Sequence, residues 1–144
     1  MEALKRSFVY IFAAGLYFYH LGAWTYRVEG FTLAEATMYP EIAHVTYAYL
    51  VVILAFIISG IISAVGNPRS VVLIFVLLAA PVIYEVYSLV NLLFAYGNSD
   101  PELFNAHLGV RLSLGVVVLF CVFHSNQLRK SFNKAVNDRL RLDR

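Results

Sequence analysis

Residues 71–96 read VVLIFVLLAAPVIYEVYSLVNLLFAY, and in that whole stretch the only formal charge is Glu85. At about 1.5 Å of rise per residue such a run makes about 39 Å of helix, more than the ~30 Å of hydrocarbon in a bilayer. It is bounded on one side by Gly66-Asn67-Pro68-Arg69 and on the other by Gly97-Asn98-Ser99-Asp100-Pro101-Glu102, both turn-forming in composition. Working outward from this run, similar apolar blocks appear at Ser7–Trp24, Ile42–Val65 and Leu103–His124, so the four spans are about 7–24, 42–65, 71–96 and 103–124. The expected fold is all-α: a four-transmembrane-helix bundle with short loops, residues 1–124 forming the membrane domain and residues 125–144 an amphipathic basic C-terminal helix.

Composition supports this reading. The chain has 144 residues, 60% hydrophobic, 15% aromatic and 14% charged, whereas an ordinary soluble domain carries about 25% charged residues. Disorder, a disulfide-stapled secreted module and a large catalytic domain are excluded. The single cysteine, Cys121, sits inside an apolar run, so an intramolecular disulfide or a multi-cysteine metal cluster cannot form within one chain. A net charge of +2 points to no nucleic-acid partner. The first apolar block is read as a retained helix, because Ala13-Ala14-Gly15 lies inside the run and no small-residue cleavage site follows it.

Orientation follows from the cations. Of the 11 lysines and arginines, Lys5, Arg6, Arg69, Arg129, Lys130, Lys134, Arg139, Arg141 and Arg144 fall on one side, and the opposite face holds Arg27 against Glu29, Glu35, Glu41, Asp100 and Glu102. Basic loops stay inside, which predicts both termini in the cytoplasm of a bacterial inner membrane, or in the matrix if the membrane is mitochondrial. Thr32-Leu33-Ala34-Glu35 has the pattern of a capping box and predicts a short outer helix reaching about Met38, before Pro40 opens the next span. Asp100, Pro101 and Glu102 suit the N-cap and first turn of the fourth helix, and Gly97 the end of the third. Ser59, Gly60, Ser63, Ala64 and the Ala13-Ala14-Gly15 run offer small surfaces for close helix packing. After His124, Leu128, Phe132, Val136 and Leu140 recur every four residues among basic side chains, so the C-terminal helix is amphipathic, either a docking surface or an extension that obeys the charge rule.

Ionisable groups inside a membrane span are expensive and must face protein or water. Glu85 lies 11 residues below Tyr96 and Arg111 lies 9 below Glu102, so both sit about 14–16 Å from the outer edge on adjacent antiparallel helices. A buried ion pair between them is expected, serving register or a proton-coupled cycle. Pro81, one turn before Glu85, lacks the amide that would bond the Leu77 carbonyl and is expected to kink the helix.

His20, His44 and His107 lie about 4–8 Å below the same outer boundary. With Tyr17, Tyr47, Tyr84, Ser88 and Asn91 they are expected to line one outward-opening pocket, able to hold a transition metal on His20, His44 and His107 or one haem b. The placement of His44 and His107 resembles the four-helix b-type cytochromes, in which histidines near the ends of facing helices hold haem between them. That resemblance implies axial ligation by His44 and His107, and at most one haem, since no second inner-side histidine accompanies His124.

No phosphate-binding glycine loop, nucleophile elbow or zinc-protease pair is present, so catalytic activity on its own is not expected. Three functions follow from these features: a small accessory subunit of a larger membrane complex, a single-haem electron-transfer subunit, or a small oligomeric proton-coupled transporter or channel using Glu85 and Arg111. The expected partners are the lipid bilayer and other membrane subunits or further copies of the chain.

Overall fold

The computed structural model describes residues 2–27, 32–67, 69–96 and 101–142, and all regular structure among them is helical. In chain order the helices are α1 (Glu2–Arg27), α2 (Leu33–Ala36), α3 (Pro40–Val65), α4 (Val71–Tyr96) and α5 (Pro101–Leu142). Three segments, Ile42–Val65, Val71–Phe94 and Phe104–Asp138, are long and apolar enough to cross a membrane. Helix α1 has the length, 26 residues, but Lys5, Arg6, Tyr10, Tyr17, Tyr19 and His20 dilute its apolar content below that of the other three.

The long helices alternate in direction. Helix α1 packs along α3, α3 on α4, α4 on α5, and α5 returns to α1. The α1–α3 seam is close because small residues line it: Ser59, Gly60 and Ser63 are buried, and a Cβ added to Gly60 would stand 3.1 Å from Ile11 Cδ1. Ala13 and Ala14 are buried too, whereas Gly15 faces outward with open space beside it. The core that unites the helices is Tyr10, Tyr17 and Leu21 of α1, Val52 and Phe56 of α3, Ile74 and Leu78 of α4, and Leu114, Val118 and Cys121 of α5. On the outer faces Phe8, Phe12 and Phe18, then Val51, Leu54 and Ile61, Val76 and Ile83, and Leu119 and Phe123 are exposed, the inverse of a water-soluble bundle and what a lipid solvent allows.

The helix ends follow local chemistry. The Thr32–Glu35 capping box forms in full around α2, and Pro40 is the first residue of α3. Gly66 closes α3 in the left-handed region at φ 71°, with its amide bonded to the Ile62 carbonyl, a conformation that costs side-chain-bearing residues about 1–2 kcal/mol. The Asn67 side chain accepts from the Arg69 amide at 3.0 Å, holding the turn into α4. Pro81 is buried inside α4, which remains helical from Val71 to Tyr96. The expected cap at Asp100, helix end at Gly97 and turn residue Pro68 lie outside the described residues, as do the side chains of Tyr26, Arg27, Glu41, Tyr96 and Leu140.

The amphipathic basic helix expected after His124 is continuous with the fourth long helix: α5 runs unbroken for 42 residues. Leu128 is buried and Phe132 half-buried against the core, so the first turns of the extension pack on α1, and Val136 beyond them is exposed. About 27 Å of helix continues past His124.

Candidate functional site

Polar side chains inside the helix assembly fall into layers, and the middle one gathers a residue from every long helix. Tyr17 Oη on α1 donates to Glu85 Oε1 on α4 at 2.7 Å. Arg111 Nη1 on α5 stands 3.6 Å from the same oxygen, an ion-pair contact longer than a hydrogen bond. The guanidinium is flanked by the rings of Tyr49 on α3, with Cζ 5.6 Å from the centroid, and Tyr84 on α4, at 5.5 Å. Those two rings meet edge to face at 5.1 Å, and Tyr17 packs on Tyr49 and Phe56 at 6.1 and 5.3 Å. Glu85 is 4% exposed, and its charge meets one phenol hydrogen bond and one cation that rests against two aromatic rings. Glu85 Oε2 and Arg111 Nη1 are buried without a hydrogen-bond partner.

Above this layer a cavity of about 390 Å³ opens at the end of the helices where α1 finishes and α5 begins. Its polar lining is His44 from α3, Tyr84, Ser88 and Asn91 from α4, and His107 and Arg111 from α5, with Trp24 and Tyr87 among its aromatic walls. Arg111, 19% exposed along its side chain, therefore joins the two layers: it contacts Glu85 and also forms part of the cavity wall.

At the other end of the helices the contacts close a layer of their own. The Ser125 hydroxyl donates to the Cys121 carbonyl at 2.8 Å, so its oxygen accepts from Tyr10 Oη at 2.6 Å. The Arg6 carbonyl accepts from Ser63 Oγ at 2.7 Å and pairs with His124 Nε2 at 3.1 Å. His124 also meets the Tyr10 ring edge-on at 5.6 Å. The Arg6 guanidinium lies against Gly66, where a Cβ would collide with it, and over the Phe132 ring at 5.7 Å. Between this layer and Glu85 the core is mainly apolar, filled by Ala13, Ala14, Phe56, Ile74, Leu78, Leu114 and Val118, with the buried hydroxyl of Ser59 beside them.

The residues singled out in the sequence divide cleanly. Glu85 and Arg111 meet as expected. His44, His107, Tyr84, Ser88 and Asn91 line one cavity. His20, Tyr17 and Tyr47 do not line it: Tyr17 is wholly buried beneath, half-buried His20 packs edge-on to Tyr19 at 5.7 Å, and exposed Tyr47 donates to the Thr37 carbonyl at 3.4 Å. Among the described residues no three His, Cys, Asp or Glu side chains stand together as a metal site, so His20, His44 and His107 are not brought together as a three-imidazole group. Sequence reading missed Tyr49, whose ring lies against Arg111, and the contacts of Tyr10, Ser125 and His124 at the end of the helices where α1 begins. Outside the spans, hydrogen bonds from the Thr32 hydroxyl and amide hold the Glu35 carboxyl below the usual carboxylate range.

Comparison of the chain with protein-family models, with curated proteins and with solved structures gives no match.

Proposed function

We propose that this protein is a small integral-membrane subunit of a larger membrane assembly. In this reading its four long helices cross the bilayer, and both termini lie on the cytoplasmic side of a bacterial inner membrane. One observation carries the proposal. Helix α5 leaves the apolar zone without a break and presents Arg129, Lys130, Lys134 and Val136, all exposed, on a helical rod. A helix that lies in the membrane interface must turn by about 90° from its span, and a continuous helix does not. The rod is therefore placed to meet a partner in the aqueous phase, and its charges favour an acidic surface.

The layering supports a subunit over a channel. The polar middle layer is separated from the inner one by about two turns of mainly apolar side chains, interrupted by the buried Ser59, and the Glu85–Arg111 pair acts as a fixed register device in which each charge neutralises the other. The single-haem reading, with His44 and His107 as axial ligands, leaves Arg111, Ser88 and Asn91 of the same cavity without a task.

The test is native mass spectrometry of the tagged full chain, extracted in mild detergent from its own membrane. The expected result is a stoichiometric complex with other chains that dissociates when Arg129, Lys130 and Lys134 are changed to glutamine. Recovery of the chain alone would overturn the proposal. A Soret band lost in His44→Ala and His107→Ala would install the haem reading, and a homo-oligomer with pH-dependent flux the transport reading.

A further inference from the structure

We infer that the outer cavity binds a neutral, planar ring bearing carbonyl oxygens, the chemistry of a quinone headgroup taken from the bilayer. The inference rests on the proposed placement of the four long helices across a bilayer.

Size comes first. About 390 Å³ lies at the lower end of the roughly 300–1,000 Å³ of small-molecule sites, enough for a single substituted ring. Chemistry of the wall comes second. Arg111, Asn91 and Ser88 supply donors, which is what a carbonyl-bearing ring requires, and Trp24, Tyr84 and Tyr87 supply aromatic surface for its faces and edge. The guanidinium rests against the adjoining Tyr49 and Tyr84 rings and is tied to Glu85, so its motion is restricted before any ligand arrives, and preorganised donors lose little on binding.

Charge decides among ligand classes. Among the described residues of the cavity lining Arg111 is the only formally charged one, and its charge is already met by Glu85 behind it at 3.6 Å. An anion would add a negative charge that this neutral pair does not balance, and a cation would face the guanidinium directly. A neutral acceptor accepts from the donors and leaves the pair intact.

The chain carries a single tryptophan, Trp24, in the cavity wall, so its fluorescence reports the site without a label. The purified full-length protein in detergent is titrated with duroquinone, with 1,2,4,5-tetramethylbenzene as the same ring without carbonyls, and with benzoate as an anion. The expected result is saturable quenching by duroquinone, at least tenfold weaker in Asn91→Leu, which removes a donor, and in Ala48→Phe, which fills the cavity. Both variants are checked for an unchanged helical melting curve, and either one suffices if the other fails to fold. Linear quenching that is equal in wild type and the folded variant would overturn the inference, as would tighter binding of benzoate than of duroquinone. Because this titration uses the isolated chain, its failure leaves the complex seen by native mass spectrometry untouched, and the absence of a complex leaves the titration valid.

Discussion

Glu85 is the residue on which the interior depends. Its carboxylate sits at 4% exposure with Tyr17 and Arg111 as its named partners, and a charge stranded in such a place costs about 3–5 kcal/mol. Arg111→Gln should therefore cost about that much, and Glu85→Gln a similar amount, while the double substitution should cost less than the sum of the two. Additive losses in thermal unfolding would break the pair. Tyr17→Phe removes the hydrogen bond to the carboxylate and keeps the ring, so a smaller loss of about 1.5–3 kcal/mol is expected. Spacing explains which of these neighbours could be read in advance. Residues four or seven apart on a helix stand about 40° or 20° apart around its axis, so Tyr84, Ser88 and Asn91, and likewise His107 and Arg111, were legible as shared faces. Residues three apart are rotated by about 60°, which keeps Ser88 and Asn91 on one cavity wall yet puts Tyr17 in the core with His20 at its edge and leaves Tyr47 exposed, so that spacing alone does not decide the face. Tyr49 was missed because nothing local marks a tyrosine that will cover an arginine 62 positions away.

Among the elements, α5 shows how a span runs on into its extension. Polarity rises after His124, where the amphipathic basic helix was expected, and no glycine or proline occurs between Gly115 and the end of the helix, so nothing stops its propagation. Leu128 and Phe132 then extend the core below the inner layer. Leu128→Ala should cost about 2–4 kcal/mol because it opens a space in a buried site, whereas Lys134→Gln on the exposed face should stay within about 0.5 kcal/mol; equal effects would mean the extension does not pack on α1. At the α3 end, Gly66→Ala combines a left-handed backbone with a Cβ directed at the Arg6 guanidinium. The melting temperature should fall, and adding Arg6→Ala should recover the collision and leave the backbone strain. Helix α2 carries a pH dependence that lies outside the candidate spans. Glu35's lowered pKa means that its contribution to the capping box is whole at neutral pH and is lost as pH falls through that lowered value. Thr32→Ala should bring the Glu35 titration back up toward the ordinary carboxylate range, readable by NMR of its side chain; an unmoved titration would mean that the box does not form in solution.

At the scale of the molecule, the decisive element is α1. Three helices have the length and apolarity to cross a membrane on those grounds alone, and α1 carries more polar side chains because it supplies Tyr10 and Tyr17 to the interior layers. The proposed four-span reading requires that it cross as well. It runs beside α3 from Arg6 at Ser63 to Tyr17 at Tyr49 and Phe56, and its exposed apolar surface is Phe8, Ile11, Phe12 and Phe18. Hydropathy along the sequence cannot separate a polar group that faces a partner helix from one that faces water, and only the assembled interior does so. The direct measurement is sidedness at Ala3 and Asn67, both exposed, introduced singly as cysteine in a Cys121→Ala background that removes the chain's only thiol. If α1 spans the membrane, a membrane-impermeant maleimide labels both positions from the same, cytoplasmic side. Labelling of Ala3→Cys and Asn67→Cys from opposite sides would show that α1 does not cross, and would contradict the four-span architecture on which the outer cavity, the inner layer and the projecting α5 are placed.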